Sequence, residues 1–178
     1  MEHMYTSKKE EKGLTINMRE LRTFNTYTDM QVAHQKDINE FPFIFVFAFS
    51  EDEFVKKLAE KIKERKPQCT GITTMEGIKK HIVGIGAGGY VFKEDVNVMN
   101  EMFKLHEEER KAFTESENNL VNMILYEMNN HEYGYTRDPY DTLMCLGKTY
   151  EYLETDEKFA SAWNKAEKKC FCIFDECN

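Results

Sequence analysis

No stretch of 18 uninterrupted apolar residues occurs in this 178-residue chain, so no transmembrane helix is expected. The opening stretch, Met1 to Lys12, is polar and charged and lacks the apolar centre of a secretory signal peptide, so the expected compartment is the cytoplasm. Cysteine is wanting in pattern. Five is an odd number, which disfavours a complete disulfide framework. Cys170, Cys172 and Cys177 crowd together without CxxC-like spacing or an evident fourth ligand, and read as reduced thiols on a terminal segment. No metal and no cofactor are therefore expected. Positive charge is the other deficit: 24 Lys and Arg face 32 Asp and Glu, for a net −8. Residues 1–70 balance at 12 of each sign, and residues 71–178 carry 12 against 20, hence the whole excess. An acidic surface repels nucleic acid and attracts basic partners. Strong direct DNA binding is not expected, and docking onto a basic groove of another protein is.

Three catalytic signatures are each missing a part. Gly84, Gly86 and Gly89 spell G-x-G-x-x-G, but a dinucleotide fingerprint needs a strand before the cluster and a helix opening on its last glycine. Here a helix-like stretch ending near His81 precedes it and a strand, Tyr90 to Phe92, follows. The glycines then serve a tight turn with positive φ. Gly147-Lys148-Thr149 imitates the end of a phosphate-binding loop, but Thr142 stands where its first glycine belongs. Gly147 reads instead as the residue after a helix end. His131 has no second histidine four residues away, so the helical zinc-protease motif is absent.

The pattern that is present reads as α+β: mostly helical, with a small β-sheet built on a central aromatic strand at about residues 43–49 and a short strand at 90–92. Residues 1–13 are charged and expected to be disordered. A broadly helical pattern runs from Ile16 to Asn39, with a break expected among Thr23, Thr26 and Thr28. The run Phe41 to Phe49 is aromatic and apolar on both faces, so it is expected to be covered on both and central to the core. Ser50 and Glu53 form a capping box for a helix that Pro67 ends, and Thr73 and Glu76 form a second one. Further helices are expected from Asp95 to Phe113, with Val96, Met99, Met102, Phe103 and His106 inward, and from Glu117 to Asn129. Asp138 and Pro139 start another. Thr155 or Asp156 caps the last, on which Trp163 is the core anchor. The domain reading is an N-terminal charged segment and helix over 1–39 and a single compact domain over 40–178.

The polar loop Asn129 to Pro139 holds His131, Glu132, Tyr133, Tyr135 and Asp138. His131 and Glu132 have the residue types of a base and an acid, but a loop-fixing role for His131, with Tyr133 and Tyr135 packed half-inside, is favoured. No catalytic residue is assigned. Together with the acidic helix, the candidate partner-binding residues are Glu107, Glu108, Glu109, Glu115, Glu117, His131, Glu132, Tyr133, Tyr135 and Asp138. Neutralising Glu107, Glu108 and Glu109 together is expected to weaken partner binding more than folding, because exposed charges contribute little stability.

Four ordered blocks carry a resemblance over roughly residues 40–170. They are Phe-Pro-Phe-Ile-Phe-Val-Phe-Ala-Phe (Phe41 to Phe49), Gly-Ile-Gly-Ala-Gly-Gly-Tyr (Gly84 to Tyr90), Met-Phe-Lys-Leu-His-Glu-Glu-Glu (Met102 to Glu109) and Asn-His-Glu-Tyr-Gly-Tyr-Thr-Arg-Asp (Asn130 to Asp138), the last followed by Asp141-Thr-Leu143. In these the chain resembles a family of small phage and mobile-element proteins of Firmicutes and gut bacteria that includes type II-A anti-CRISPR proteins. The resemblance implies a nuclease inhibitor acting in the bacterial host cell. Its partner would be a type II CRISPR effector nuclease with its guide RNA, and target DNA binding or cleavage would be the blocked step. Such an effector holds nucleic acid in a positively charged channel, which an acidic protein suits. Two alternatives stand beside it. One is a metal-dependent nuclease acting on guide RNA, with Asp138 and Asp141 near the His131 loop to hold Mg²⁺. The other is an accessory mobile-element protein that binds another host protein.

Overall fold

The computed structural model describes residues 21–175, with side chains through residue 172. The expected disorder of residues 1–13, the helix start near Ile16 and Cys177 lie outside the described residues. Where the sequence places a boundary at residue 40, the chain divides into two compact units: Phe41–Met102, and Leu21–Glu40 together with the chain from Phe103 onward. The fold is α+β and mostly helical, with one three-stranded antiparallel sheet.

The first unit contains β1 (Ile44–Phe45), α2 (Glu51–Arg65), α3 (Met75–Ile78), β2 (Ile82–Gly86) and β3 (Gly89–Phe92). The sheet order is β1-β3-β2, so β3 is central and the aromatic run supplies only a two-residue edge strand. This corrects the expectation of a central strand over 43–49. The physical reason is period-two burial. Ile44 and Val46 point into a core with Val55, Leu58, Ile62, Ile78, Ile82 and Phe92. Phe45, Phe47 and Phe49 point the other way and are 59%, 87% and 104% exposed.

Ser50 accepts the Glu53 N–H at 3.3 Å, as a cap should, and the Glu53 carboxylate accepts the Phe49 N–H at 3.1 Å. The second cap is Thr74, which accepts from the Gly77 N–H, rather than Thr73. Arg65, at the end of α2, forks onto the buried Asp95 and lies over the Phe92 ring, 4.5 Å from its centroid. Asp95 is therefore the buried partner of Arg65.

The glycine cluster is a hairpin. The expected short helix, α3, precedes it; the first glycines, Gly84 and Gly86, lie within the strand β2, which the sequence did not reveal, and β3 pairs back antiparallel. Ala87 and Gly88 both have positive φ, 47° and 74°, the backbone a two-residue hairpin turn requires. A strand follows where a nucleotide fold needs a helix. At Gly89 an added Cβ would come within 3.1 Å of Phe45 and Ile85, so the two exposed apolar side chains close over this glycine.

The second unit contains α1 (Tyr27–Glu40), α5 (Glu117–Asn130), α6 (Tyr133–Thr136), α7 (Tyr140–Cys145), α8 (Tyr150–Thr155) and α9 (Glu157–Asp175). The helix α4 (Val96–Phe113) begins in the first unit and ends in this one. Residues 21–26, where helix was expected, are non-helical, and α1 starts at Tyr27 just after Thr26, whose hydroxyl accepts the Asp29 N–H at 3.1 Å. The core pairs α5 with α9: Leu120, Val121, Ile124 and Met128 meet Phe159, Ala162, Trp163 and Ala166. Trp163 is buried as expected and meets Tyr133 edge-on at 5.6 Å. Asp156 caps α9 by accepting the Phe159 N–H at 2.9 Å. Gly147, with φ 66°, ends α7 while the Lys148 N–H returns to the Leu143 carbonyl. Cys170 is a buried core residue, not part of a loose terminal set. Phe103, expected inward, is exposed, and so is Met144.

This arrangement separates residues that the aromatic run makes look equivalent. Ile44→Ala should cost about 2–5 kcal/mol as a large-to-small core change. Phe47→Ala should fall within about 0.5 kcal/mol of wild type, as a surface change. Chemical denaturation of the two variants measures the difference, and equal large losses would restore the central-strand reading.

Candidate functional site

Charged side chains of the second unit divide into a buried set and an exposed one. The buried set centres on Glu109, which is only 1% exposed. Its Oε1 accepts from the Arg22 Nε at 2.7 Å and the Arg22 backbone N–H at 3.1 Å. Its Oε2 accepts from Arg22 Nη2 and from His34 Nε2, both at 2.8 Å. Asp37 accepts from Arg22 Nη2 at 2.7 Å and His106 Nε2 at 2.9 Å. The two imidazoles stack at 3.9 Å between centroids. A carboxylate only accepts, so the Nε2 of each histidine carries its proton.

Burial pushes the Glu109 carboxyl up, but the hydrogen bonds from Arg22 and His34 more than offset it, and the net is below the ordinary carboxylate value. Burial lowers His34, and the Glu109 hydrogen bond only partly restores it. Glu109 thus leaves the list of surface contacts. It cannot touch a partner without breaking this network, and the expectation that neutralising Glu107, Glu108 and Glu109 together spares folding is corrected for the same reason. Glu107, Glu108 and Glu115 are exposed. Glu117 is exposed and paired with Lys165 at 2.5 Å.

The exposed set gathers over residues 131–157. The sequence there holds seven acidic residues against two basic ones, a net −5. Both bases rest on rings: Arg137 lies 3.4 Å from the Phe171 centroid and Lys148 lies 3.9 Å from that of Tyr152. Among the acids stand exposed Tyr135, Tyr140, Met144 and Tyr150, of which Tyr135 is 76% exposed. Asp138 organises part of this surface, because its Oδ1 accepts from the Tyr140 N–H and the Tyr150 hydroxyl, each at 3.0 Å. That hydrogen bond raises the Tyr150 phenol above its usual value.

The loop chemistry that pairs His131 with Glu132 is not assembled. Glu132 has a left-handed backbone, φ 54°, and is exposed. His131 turns back toward Glu127, with Nε2 3.6 Å from its Oε2. Tyr133, expected half-inside, is buried, and its hydroxyl donates to Glu167. Burial, and then that carboxylate, push its phenol up. Tyr135 is outside, and Tyr133 therefore drops out as a surface contact. Residues missed by sequence reasoning are Tyr140, Met144 and Tyr150. Helices α7 and α8 are six residues each, too short for periodicity to tell their faces apart. Among the described residues, the one grouping of at least three candidate metal ligands is Glu127, His131 and Cys145, so Asp138 and Asp141 do not form a carboxylate site with His131. In the first unit, Phe45, Phe47 and Phe49 form a separate exposed apolar row of the kind that marks interaction surfaces.

Residues 26–169 match the model of a family of unknown function, DUF7659, and the chain belongs to that family. No curated protein and no solved structure matches the chain. No helix among the described residues is long and apolar enough to cross a membrane.

Glu109→Gln should cost about 3–5 kcal/mol, because it leaves Arg22 without its buried counter-charge. Glu107→Gln and Glu108→Gln should each stay within about 0.5 kcal/mol of wild type. Urea unfolding of the three variants compares them. The network also sets a pH dependence. His34 titrates lower in the folded chain than its free value of about 6.5, so the unfolded state binds the proton first. Stability is full above about pH 6.5 and falls as pH drops below it toward the folded value. Thermal unfolding from pH 8 to 5 should show this decline, reduced in His34→Gln. The contribution of Glu109 is lost only at lower pH, below the ordinary carboxylate range.

Proposed function

For this member of the DUF7659 family we propose an inhibitory binding role: it docks onto a type II CRISPR effector nuclease carrying its guide RNA and blocks target DNA binding or cleavage, in the cytoplasm of a bacterial host. The observation that carries the reading is the surface over residues 131–157, where exposed Tyr135, Tyr140 and Tyr150 lie in a segment of net −5. Tyrosine and methionine are enriched in protein interfaces, and tyrosine is prominent among residues that dominate binding energy. The surrounding carboxylates suit a positively charged groove, and the effector holds its nucleic acid in such a channel. The resemblance of the four sequence blocks to a mobile-element family that includes anti-CRISPR proteins suggests the partner; the surface supports the mode. The protein in this reading works by occupancy rather than by catalysis.

The test mixes purified protein, effector and guide RNA before adding target DNA. Cleavage should fall with near-stoichiometric inhibitor, the proteins should co-elute, and the guide RNA should stay intact. Inhibition should weaken as salt rises, because the charged contacts are screened. Tyr135→Ala and Tyr140→Ala should each weaken binding by about tenfold or more while leaving unfolding unchanged. Full cleavage at large excess, with no co-elution, would sink the proposal. Shortened guide RNA would replace it with the nuclease reading.

A further inference from the structure

We propose that Glu127, His131 and Cys145 form a binding site for a zinc-class divalent transition-metal ion. One carboxylate oxygen, one imidazole nitrogen and one thiol sulfur all lie within 4.8 Å of one another. Tetrahedral zinc, with bonds of about 2.0–2.3 Å, holds oxygen, nitrogen and sulfur donors roughly 3.3–3.6 Å apart. Small side-chain rotations close that gap.

One of the three groups is unsatisfied without a cation, and a second is a buried carboxylate. His131 Nε2 is buried and has no hydrogen-bond partner. It faces Glu127 Oε2 at 3.6 Å, beyond hydrogen-bond range. Glu127 is itself only 3% exposed, and a carboxylate taken out of water calls for a positive partner. Its two oxygens are treated differently. Oε1 accepts from the Tyr27 hydroxyl at 2.6 Å and from the Gln31 amide at 3.3 Å. Oε2 receives only a long contact from Asn130, at 3.4 Å, and is the oxygen turned toward His131. Outer donors that hold one carboxylate oxygen and leave the other for a ligand are the arrangement expected around a metal.

The donor set selects the ion class. Magnesium and calcium take oxygen ligands, whereas a thiolate with an imidazole and one carboxylate suits zinc. Glu127 lies in the last turn of α5, His131 is the residue at which that helix ends, and Cys145 closes α7. Asp141, one turn before Cys145, is the next carboxylate along α7. Binding would release the Cys145 thiol proton to solvent and leave a thiolate on the metal. It would also tie the end of α5 to α7 and so brace the intervening loop of Tyr135 and Asp138. The site stands whether or not the proposed partner is correct, since its evidence is the three ligands alone.

The full-length reduced chain is titrated with zinc in competition with a chromophoric chelator, and separately with cobalt to detect a sulfur-to-metal charge-transfer band. Wild type should bind one ion with that band, and so should a variant carrying both Cys172→Ser and Cys177→Ser. His131→Ala and Cys145→Ser should each weaken binding by tenfold or more and, for Cys145→Ser, remove the band. Tyr27→Phe, which leaves the ligands in place, should weaken it less. Cys145 is exposed and the serine change is nearly isosteric, so this variant keeps the test valid if His131→Ala fails to fold. No stoichiometric binding, or binding kept by Cys145→Ser and lost with Cys172 and Cys177, would overturn the proposal.

Discussion

A carboxylate almost sealed from water must be matched by donors, and Glu109 collects its donors from sequence positions some 75 to 87 residues away. Arg22 supplies a fork and a backbone N–H, and His34 supplies an imidazole N–H. Asp37 then accepts from the same Arg22 Nη2 that reaches Glu109 and from the His106 ring. The segment before α1, α1 itself and the later part of α4 are joined by this set of bonds. Partial satisfaction would be costly at each group, because an unpaired buried charge loses hydration without compensation. The network therefore specifies how these three pieces of the second unit meet, in a way that apolar packing of α5 on α9 alone does not.

The outward side of the same unit follows a different logic. Carboxylates there remain in water and contribute little to folding. Their density over residues 131–157 is available for electrostatic recognition, and the tyrosines among them offer contact area at small entropic cost. Asp138 belongs to both worlds: it holds the start of α7 and the Tyr150 hydroxyl while remaining exposed. Glu127, His131 and Cys145 lie at the margin between interior and surface. Of their polar atoms, His131 Nε2 is buried without a hydrogen-bond partner.

Much of the helical architecture was legible in local chemistry. Ser50, Asp156 and Gly147 announce helix ends because capping depends on residues within one turn. The spacing of Leu120, Val121, Ile124 and Met128 announces the inner face of α5 because burial follows the helical period. The hairpin was half legible. Its turn was evident in the glycines, but β2 was hidden because Ile82 to Gly86 is short and rich in glycine. The aromatic run misled for a reason of the same kind. Phe45, Phe47 and Phe49 are as apolar as Ile44 and Val46, and composition cannot tell which face of a strand meets the core. As for the site, exposure of Glu107, Glu108, Glu132 and Asp138 agrees with the expected surface, whereas Tyr135, expected half-inside, is exposed. Glu109 and Tyr133 are chemically indistinguishable from their neighbours in sequence and are buried.

The sequence by itself determined several helix ends, the absence of a complete nucleotide or zinc-protease motif, and the acidic bias of the later chain. These are short-range or additive properties, readable from residues a few positions apart. Tertiary structure alone decided that Glu109 faces Arg22 and His34, that Phe47 faces water, and that Cys145 comes to Glu127 and His131. Each depends on which distant segment packs opposite, and the cost of burying a charge or a ring is set by that partner rather than by the residue that carries it.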